Sequence, residues 1–493
     1  MAAGAKQLSE LGLTAIGGAN PEITGLAVDS RDVKEGFLFA ALPGTRVHGG
    51  TFIQFALRMG ASAILTDAAG AKIAEQELAA SGAALVVAED PRQALAYTAA
   101  LFFGAQPGIM AAVTGTNGKT SVATFLRMIW QEMGLAAVNL GTTGVEGNFT
   151  APLHHTTPEP ITLHRTLAAA ADAGIGFAAM EASSHGLAQC RLDGVQLAAA
   201  GFTNFTQDHL DYHETFDEYF NAKAGLFARV LPEEGTAVIN VDDPRGMDMA
   251  LIAAGRGQGV LTVGKGDADL ALTAQRLDAT GQDVRFTFRG KSYQTRLNLL
   301  GGFQAENVLL AAGLAVACGA EPERVFEVLH ELQGVRGRMQ LAATRANGAA
   351  VYVDYSHTPD SVATALKALR PHVMGRLIIV VGAGGDRDTT KRPLMGQAAA
   401  EFADVVFVTD DNPRSEDPAI IRAAVMEGAP EATEVGDRAE AILRAVDALE
   451  PGDALLIAGK GHETGQEIGD DILPFDDCEQ ASVAVAALDG GLA

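Results

Sequence analysis

The sequence predicts an α/β protein of three domains, and three observations carry that prediction. Its 493 residues suffice for about three domains at roughly 150 residues each. Short apolar, β-prone runs end in glycine-rich or polar loops and lead into helical patterns, the order of a parallel α/β sheet. Glycine is abundant, at 56 residues, and aromatics are few, a mix suited to tight strand-to-helix turns.

Residues 1–92 read as a small N-terminal α/β domain. Leu26–Ser30 and Gly36–Ala41 read as strands and Phe52–Gly60 as a helix. Two polar loops lie between them, Asp29-Ser30-Arg31 and Pro43 to Gly49. Residues 93–333 read as a central domain with a parallel sheet. There the apolar run Gly108–Val113 leads through Gly115-Thr116-Asn117-Gly118-Lys119-Thr120-Ser121 into a helix ending at Glu132. Gly176–Met180 and Ala198–Thr203 are further strands, Phe216–Phe227 a helix, and Gly259–Phe288 alternates like antiparallel strands. Residues 334–493 form a third domain. Strands Leu377–Gly382, Asp404–Thr409 and Ala454–Ala458 each end in a polar loop. Ligands of parallel sheets bind beyond the carboxyl ends of the strands, so these three loops are expected on one edge.

The bulk properties narrow the function. A net charge of −25 argues against a nucleic-acid partner, which calls for a basic surface. Anionic substrates would need a locally positive site. Cys190, Cys318 and Cys478 form no C-x-x-C pair, so neither a disulfide framework nor a zinc site is expected. The opening residues lack a charged segment followed by an apolar core. No run approaches the roughly eighteen apolar residues of a membrane span. A cytoplasmic protein without membrane insertion is expected.

The loop Gly115–Ser121 carries the strongest chemistry. Its glycines let backbone N–H groups turn toward phosphate oxygens, and the following helix adds its N-terminal partial charge. Lys119 can reach the β and γ phosphates and Thr120 can offer its hydroxyl to Mg²⁺. The loop departs from the common pattern at Val113, where a first glycine would stand. Such a loop names no reaction, since kinases, switches and ligases share it. Glu181-Ala182-Ser183-Ser184-His185-Gly186 places a carboxylate at a strand end, suited to a Mg²⁺ contact, or a serine cap for a helix. The stretch Asn204–His213 holds Asp208, His209, Asp211 and His213, a density that suggests a site. Lys223, in a helix, reads by itself as a solvated surface residue.

These motifs, with Asn221-Ala222-Lys223, Asn307, the Arg336/Arg338 pair and Asp354-Tyr355-Ser356-His357, follow the order and spacing of the Mur ligases. The chain resembles that family over essentially its whole length. The resemblance implies a UDP-binding N-terminal domain, a central P-loop ATPase domain and a C-terminal Rossmann-like domain. It implies ATP on Gly115, Thr116, Asn117, Gly118, Lys119, Thr120 and Ser121, with Asn307, Arg338 and Asp354. It implies Mg²⁺ on Thr120, Glu181, His209 and Lys223, the last as a carbamylated lysine. Lys119, Glu181, His209 and Lys223 are the implied catalytic residues. Ser356 stands where the family often has alanine, a small change.

Within the family, the pattern from Ser183 to Arg191 resembles the enzyme that adds the third peptide residue to a UDP-muramoyl dipeptide. That likeness implies substrate contacts from Thr156, Thr157, Ser183, Gln189 and Arg191. It implies uridine contacts from Val28, Ser30, Thr45, Arg46 and Val47. Asp411-Asn412-Pro413-Arg414 resembles the loop of the members that add meso-diaminopimelate. The physics agrees: Arg387 and Arg414 can grip the far carboxylate of that amino acid, and Asp411 and Glu463, with Gly459 beside them, can accept from its ammonium. Lysine lacks the far carboxylate and would leave an arginine unpaired. The expected enzyme is a monomer acting on ATP, the UDP-dipeptide and the amino acid. The alternatives are a lysine-adding or folate-polyglutamate type ligase, a nucleotide-binding switch, and a non-catalytic sugar-nucleotide binder.

Overall fold

The computed structural model describes residues 4–44, 47–206, 212–213, 215–278 and 280–490. It has two compact units: Met1–Gly264 with Leu310–Val325, and Lys265–Leu309 with Phe326–Ala493. No helix among the described residues is long and apolar enough to cross a membrane.

The first unit holds two parallel sheets. The smaller runs Gly25–Ala27, Phe37–Ala40, Ala63–Thr66, Ala84–Val87. Leu26, Leu38 and Leu65 pack with Leu95 and Phe102 in its core. The expected helix Phe52–Gly60 starts as a 3-10 turn, Gly49–Phe52, and continues as Ile53–Arg58. His48 caps that turn, its Nδ1 accepting from Gly50 N–H at 2.9 Å.

The larger sheet of this unit runs Gly259–Gly264, Thr236–Asn240, Ala199–Phe202, Ile109–Thr114, Phe177–Glu181, Ala137–Gly141, all parallel. Gly144–Gly147 returns antiparallel at the edge. Met110 to Val113 are fully buried, as expected of a strand covered on both faces. Gly259–Gly264 corrects the antiparallel expectation. The helix Gly246–Gly255 makes a crossover before it, so it joins Thr236–Asn240 in parallel. Alternation along a strand does not tell its direction.

In the second unit, Leu270–Asp278, Gly281–Phe288 and Lys291–Leu297 form an antiparallel meander. A further sheet runs Gln340–Thr344, Ala350–Asp354, Ala454–Ala458, Leu377–Val381, Val405–Val408, Thr433–Glu434, antiparallel only at its first pair. Leu377, Ile379 and Val381 pack toward the helix Pro359–Leu369, while Ile378 and Val380 face Ala441, Ile442 and Ala445. Helices on both faces leave the carboxyl edge of the strands as the open side for ligands.

Candidate active site

The strand Ile109–Thr114 leads through the expected phosphate loop into the helix Lys119–Glu132. Gly115 has φ 144°, and a Cβ there would lie 1.9 Å from the Thr203 hydroxyl, so only glycine fits. Lys119 Nζ folds back onto the Gly115 and Thr116 carbonyls at 3.0 and 2.8 Å. Lys223, on the helix Phe216–Gly225, corrects its surface reading: it is 1% exposed. Its Nζ donates to the same Gly115 carbonyl at 2.6 Å and lies over the Tyr219 ring. Tyr219 in turn hydrogen-bonds Thr116 Oγ1 at 3.2 Å. The fold thus brings two lysines from distant helices to one loop carbonyl.

Glu181, buried at the end of its strand, sits beside that loop. Thr120 Oγ1 donates to its Oε2 at 2.9 Å and Thr142 N–H to its Oε1 at 2.8 Å. Around it the expected substrate residues form one network. Thr156 Oγ1 meets Thr142 Oγ1 at 3.0 Å, and Thr157 Oγ1 donates to the Glu181 carbonyl at 2.9 Å. Ser183 N–H donates to Thr157 Oγ1, and the Ser183 hydroxyl caps the following short helix. Arg191 donates to the Thr157 carbonyl at 2.6 Å and to Gln189 Oε1, while Gln189 reaches Tyr212. Burial lowers the Arg191 guanidinium from its ordinary value. In the small N-terminal sheet's loops, Val28 and Val47 are exposed and Ser30 is half-buried. Thr45, Arg46 and His209 lie outside the described residues.

In the second unit, Asn307 is buried on the helix Phe303–Ala317 and donates to Gln304 Oε1 at 3.1 Å. The Arg338 guanidinium lies 4.5 Å from the Tyr355 ring centre. Asp354 accepts from Met339 N–H at 2.7 Å and from the Ser356 hydroxyl. Desolvation outweighs these bonds and raises its carboxyl above the usual range.

The three polar loops of this unit do meet at one edge. Arg414, at φ 51°, donates through Nη1 to the Gly385 carbonyl at 2.9 Å, and its Nε pairs with Glu467 at 2.6 Å. Asn412 Nδ2 donates to Glu463 Oε2 at 2.9 Å. The Asp411 carboxylate lies so near Gly459 (φ 116°) that a Cβ there would stand 2.3 Å from its Oδ2. Pro413 lends its carbonyl to the turn closed by Glu416 N–H. Arg387 is exposed in the neighbouring loop. Burial and then the charges of Glu463 and Asp411 push the Tyr355 phenol up to about 12. The cluster therefore presents a cationic end at Arg414 and an anionic end at Asp411 and Glu463.

Comparison with known proteins gives this arrangement a context. Models described as Mur ligase family catalytic domain, Mur ligase middle domain, and Mur ligase glutamate ligase domain match residues 22–103, 113–315 and 337–461. A UDP-N-acetylmuramoyl-L-alanyl-D-glutamate--2,6-diaminopimelate ligase of Bradyrhizobium diazoefficiens is 48% identical, covering 94% of this chain and 95% of its own. The protein of the same name from Caulobacter vibrioides is 47% identical, covering 95% and 97%. A solved structure of a ligase of that name matches with TM-score 0.71 at 34% identity, over 98% of this chain and 99% of the other. The chain belongs to the Mur ligase family.

Three residues of this Mur ligase escaped the sequence reading. Thr142, in Gly141-Thr142-Thr143-Gly144, orients Glu181; a glycine-bounded loop directly after a strand was its available signal. Lys460 is wholly buried against Asn412 and Glu463. Arg438 forms a buried ion pair with Asp477 at 2.7 Å and donates to the carbonyls of Asp410 and Ala458 at 3.4 and 3.0 Å, where two of the loops begin. Burial alone would lower its guanidinium, but Asp477 holds it above the ordinary value. Nothing in the local pattern around Arg438 marks it.

Proposed function

We propose that this chain is an ATP-dependent acid–amino-acid ligase. It joins meso-diaminopimelate to the D-glutamyl γ-carboxylate of UDP-N-acetylmuramoyl-L-alanyl-D-glutamate, in peptidoglycan precursor synthesis. The observation that carries the reading is the arginine of the Asp411–Arg414 loop. Gly385 accepts from its Nη1 and Glu467 pairs with it at Nε, and its Nη2 donates no hydrogen bond among the described residues. That leaves a guanidinium edge for a carboxylate. The names of the similar ligases support the same amino acid.

The proposed domains are 1–92 for the UDP substrate, 93–333 for ATP and 334–493 for the amino acid. Gly115–Ser121, with Asn307, Arg338 and Asp354, would hold ATP. Val28, Ser30, Thr45, Arg46, Val47, Thr156, Thr157, Ser183, Gln189 and Arg191 would hold the UDP-dipeptide. Arg387, Asp411, Asn412, Pro413, Arg414, Gly459 and Glu463 would hold diaminopimelate. Mg²⁺ fits the donors present: the Thr120 hydroxyl and the buried Glu181 carboxylate are adjacent hard oxygen ligands. His209 and a carbamylated Lys223 would complete the set. When bound, Mg²⁺ neutralises charge on the transferring phosphoryl oxygens.

The chain's own residues serve two steps. Lys119 exchanges its loop carbonyls for the β and γ phosphates and steadies the phosphoryl group as it passes to the substrate carboxylate, giving ADP and an acyl phosphate. The diaminopimelate amine then attacks the acyl carbon, and phosphate leaves as the amide forms. The amine must give up a proton first, and His185, His209 and His357 are the candidate acceptors. The reading implies a cytoplasmic monomer.

The test is phosphate release from ATP in the presence of Mg²⁺ and the UDP-dipeptide, with the amino acid varied. Turnover with meso-diaminopimelate and not with lysine is expected. Turnover with lysine alone would keep the ligase and overturn the reading of Arg414. Release that needs neither amine nor UDP substrate would indicate a switch or simple ATPase.

A further inference from the structure

We propose that Lys460 is a positioning residue for the amine half of the amino-acid site, fixing Asn412 and Glu463 so that one Glu463 oxygen faces the ligand's far ammonium. The inference rests on the amino-acid specificity proposed above. Lys460 begins the turn after the strand Ala454–Ala458 and is 0% exposed. A buried ammonium is costly unless its hydrogen bonds are made. Here they are made to the two polar loops, with Nζ 2.7 Å from Asn412 Oδ1 and 3.1 Å from Glu463 Oε2.

The rest of the network follows from those two contacts. Asn412 Oδ1 also accepts from Glu467 N–H at 3.0 Å, and Asn412 Nδ2 donates to Glu463 Oε2 at 2.9 Å. The Asn412 amide is thereby oriented from both ends. Glu463 has its Oε2 held from inside by an ammonium and an amide. Its Oε1 has no protein partner among the described residues, on a side chain 31% exposed. A carboxylate tethered by its inner oxygen offers the outer one in a single direction, which is what recognition of a fixed ammonium requires. Glu467, through its backbone N–H on Asn412 and its carboxylate on Arg414, ties this amine half to the carboxylate half. Lys460 therefore acts through Glu463 and Asn412 and needs no contact with the substrate.

The experiment compares two amines. Meso-diaminopimelate carries both far groups; 2-aminopimelate keeps the far carboxylate and lacks the far ammonium. It serves as a substrate or as a competitive inhibitor. In Lys460→Met, kcat/KM for diaminopimelate is expected to fall about thirtyfold through KM, with 2-aminopimelate and ATP changed by less than about threefold. Lys460→Gln, which keeps a donor and drops the charge, gives the same pattern and serves if the methionine variant does not fold. Equal losses on both amines, or no loss on either, would overturn the role of Lys460. Wild-type protein that does not turn over diaminopimelate at all would overturn the function proposal, and this inference with it.

Discussion

The glycine loop after the strand Ile109–Thr114 and the three polar loops of the second unit all stand at the carboxyl ends of parallel strands, yet the contacts on their cations differ. Lys119 Nζ donates to the main-chain carbonyls of Gly115 and Thr116. Arg414 and Lys460 are paired with carboxylates, Glu467 and Glu463. A carbonyl is a neutral acceptor that the Lys119 ammonium can trade for a phosphate oxygen, so the first arrangement suits a polyanion that arrives and departs. A carboxylate partner stays when the ligand binds and balances charge locally, so the second suits a zwitterion whose two ends must be told apart. The difference teaches that a shared strand–loop geometry leaves ligand charge open and that the residues gripping each cation decide it.

The largest test of that contrast is Lys119→Ala. Loss of a group aimed at developing charge costs about a hundredfold to a thousandfold in rate, and phosphate release should fall by that much with every amine offered. A loss confined to one amine would break the comparison. Arg414→Ala comes next. Removing one partner of a hydrogen-bonded charge pair costs about 3 kcal/mol, roughly a hundredfold in kcat/KM for diaminopimelate. The KM for ATP should not move, and a parallel rise in it would contradict the division of labour.

The smallest effect is on stability in acid, and its source lies in the first unit. His164, on the helix Pro160–Asp172 of the first unit, is buried, its Nε2 without a partner among the described residues. Burial lowers it from 6.5 to about 4. The unfolded chain then takes up the proton first as the pH falls. The stability contribution is whole above about pH 6.5 and is lost progressively toward pH 4. At pH 5 the loss from this one residue is about 2 kcal/mol relative to pH 7. Urea unfolding of His164→Leu at both pH values should show that part of the acid sensitivity gone; an unchanged slope would mean His164 carries none of it.

Much of the site was legible beforehand. The strand, glycine loop and helix at 109–132 were legible because each signal is local: apolar run, left-handed glycine, helix start. The strand before Asp411–Arg414 and its neighbours announced a shared edge, because parallel strands put their following loops on one side. Lys223 was misjudged from its own surroundings, where a helical lysine reads as solvated, and only the family likeness singled it out. The direction of Gly259–Gly264 was misjudged because side-chain alternation is the same in both directions.

The sequence by itself determined the α/β class, the motif residues and the chemistry each can offer, because strand periodicity, turn preference and functional groups are properties of neighbours along the chain. Only the tertiary structure decided which of those groups act together. Lys460 and Asn412 are 48 residues apart, Thr120 and Glu181 61, and Lys223 and Gly115 108. Each pair meets only once the strands have taken their order in the sheet, and that order is set by packing, which no local pattern records.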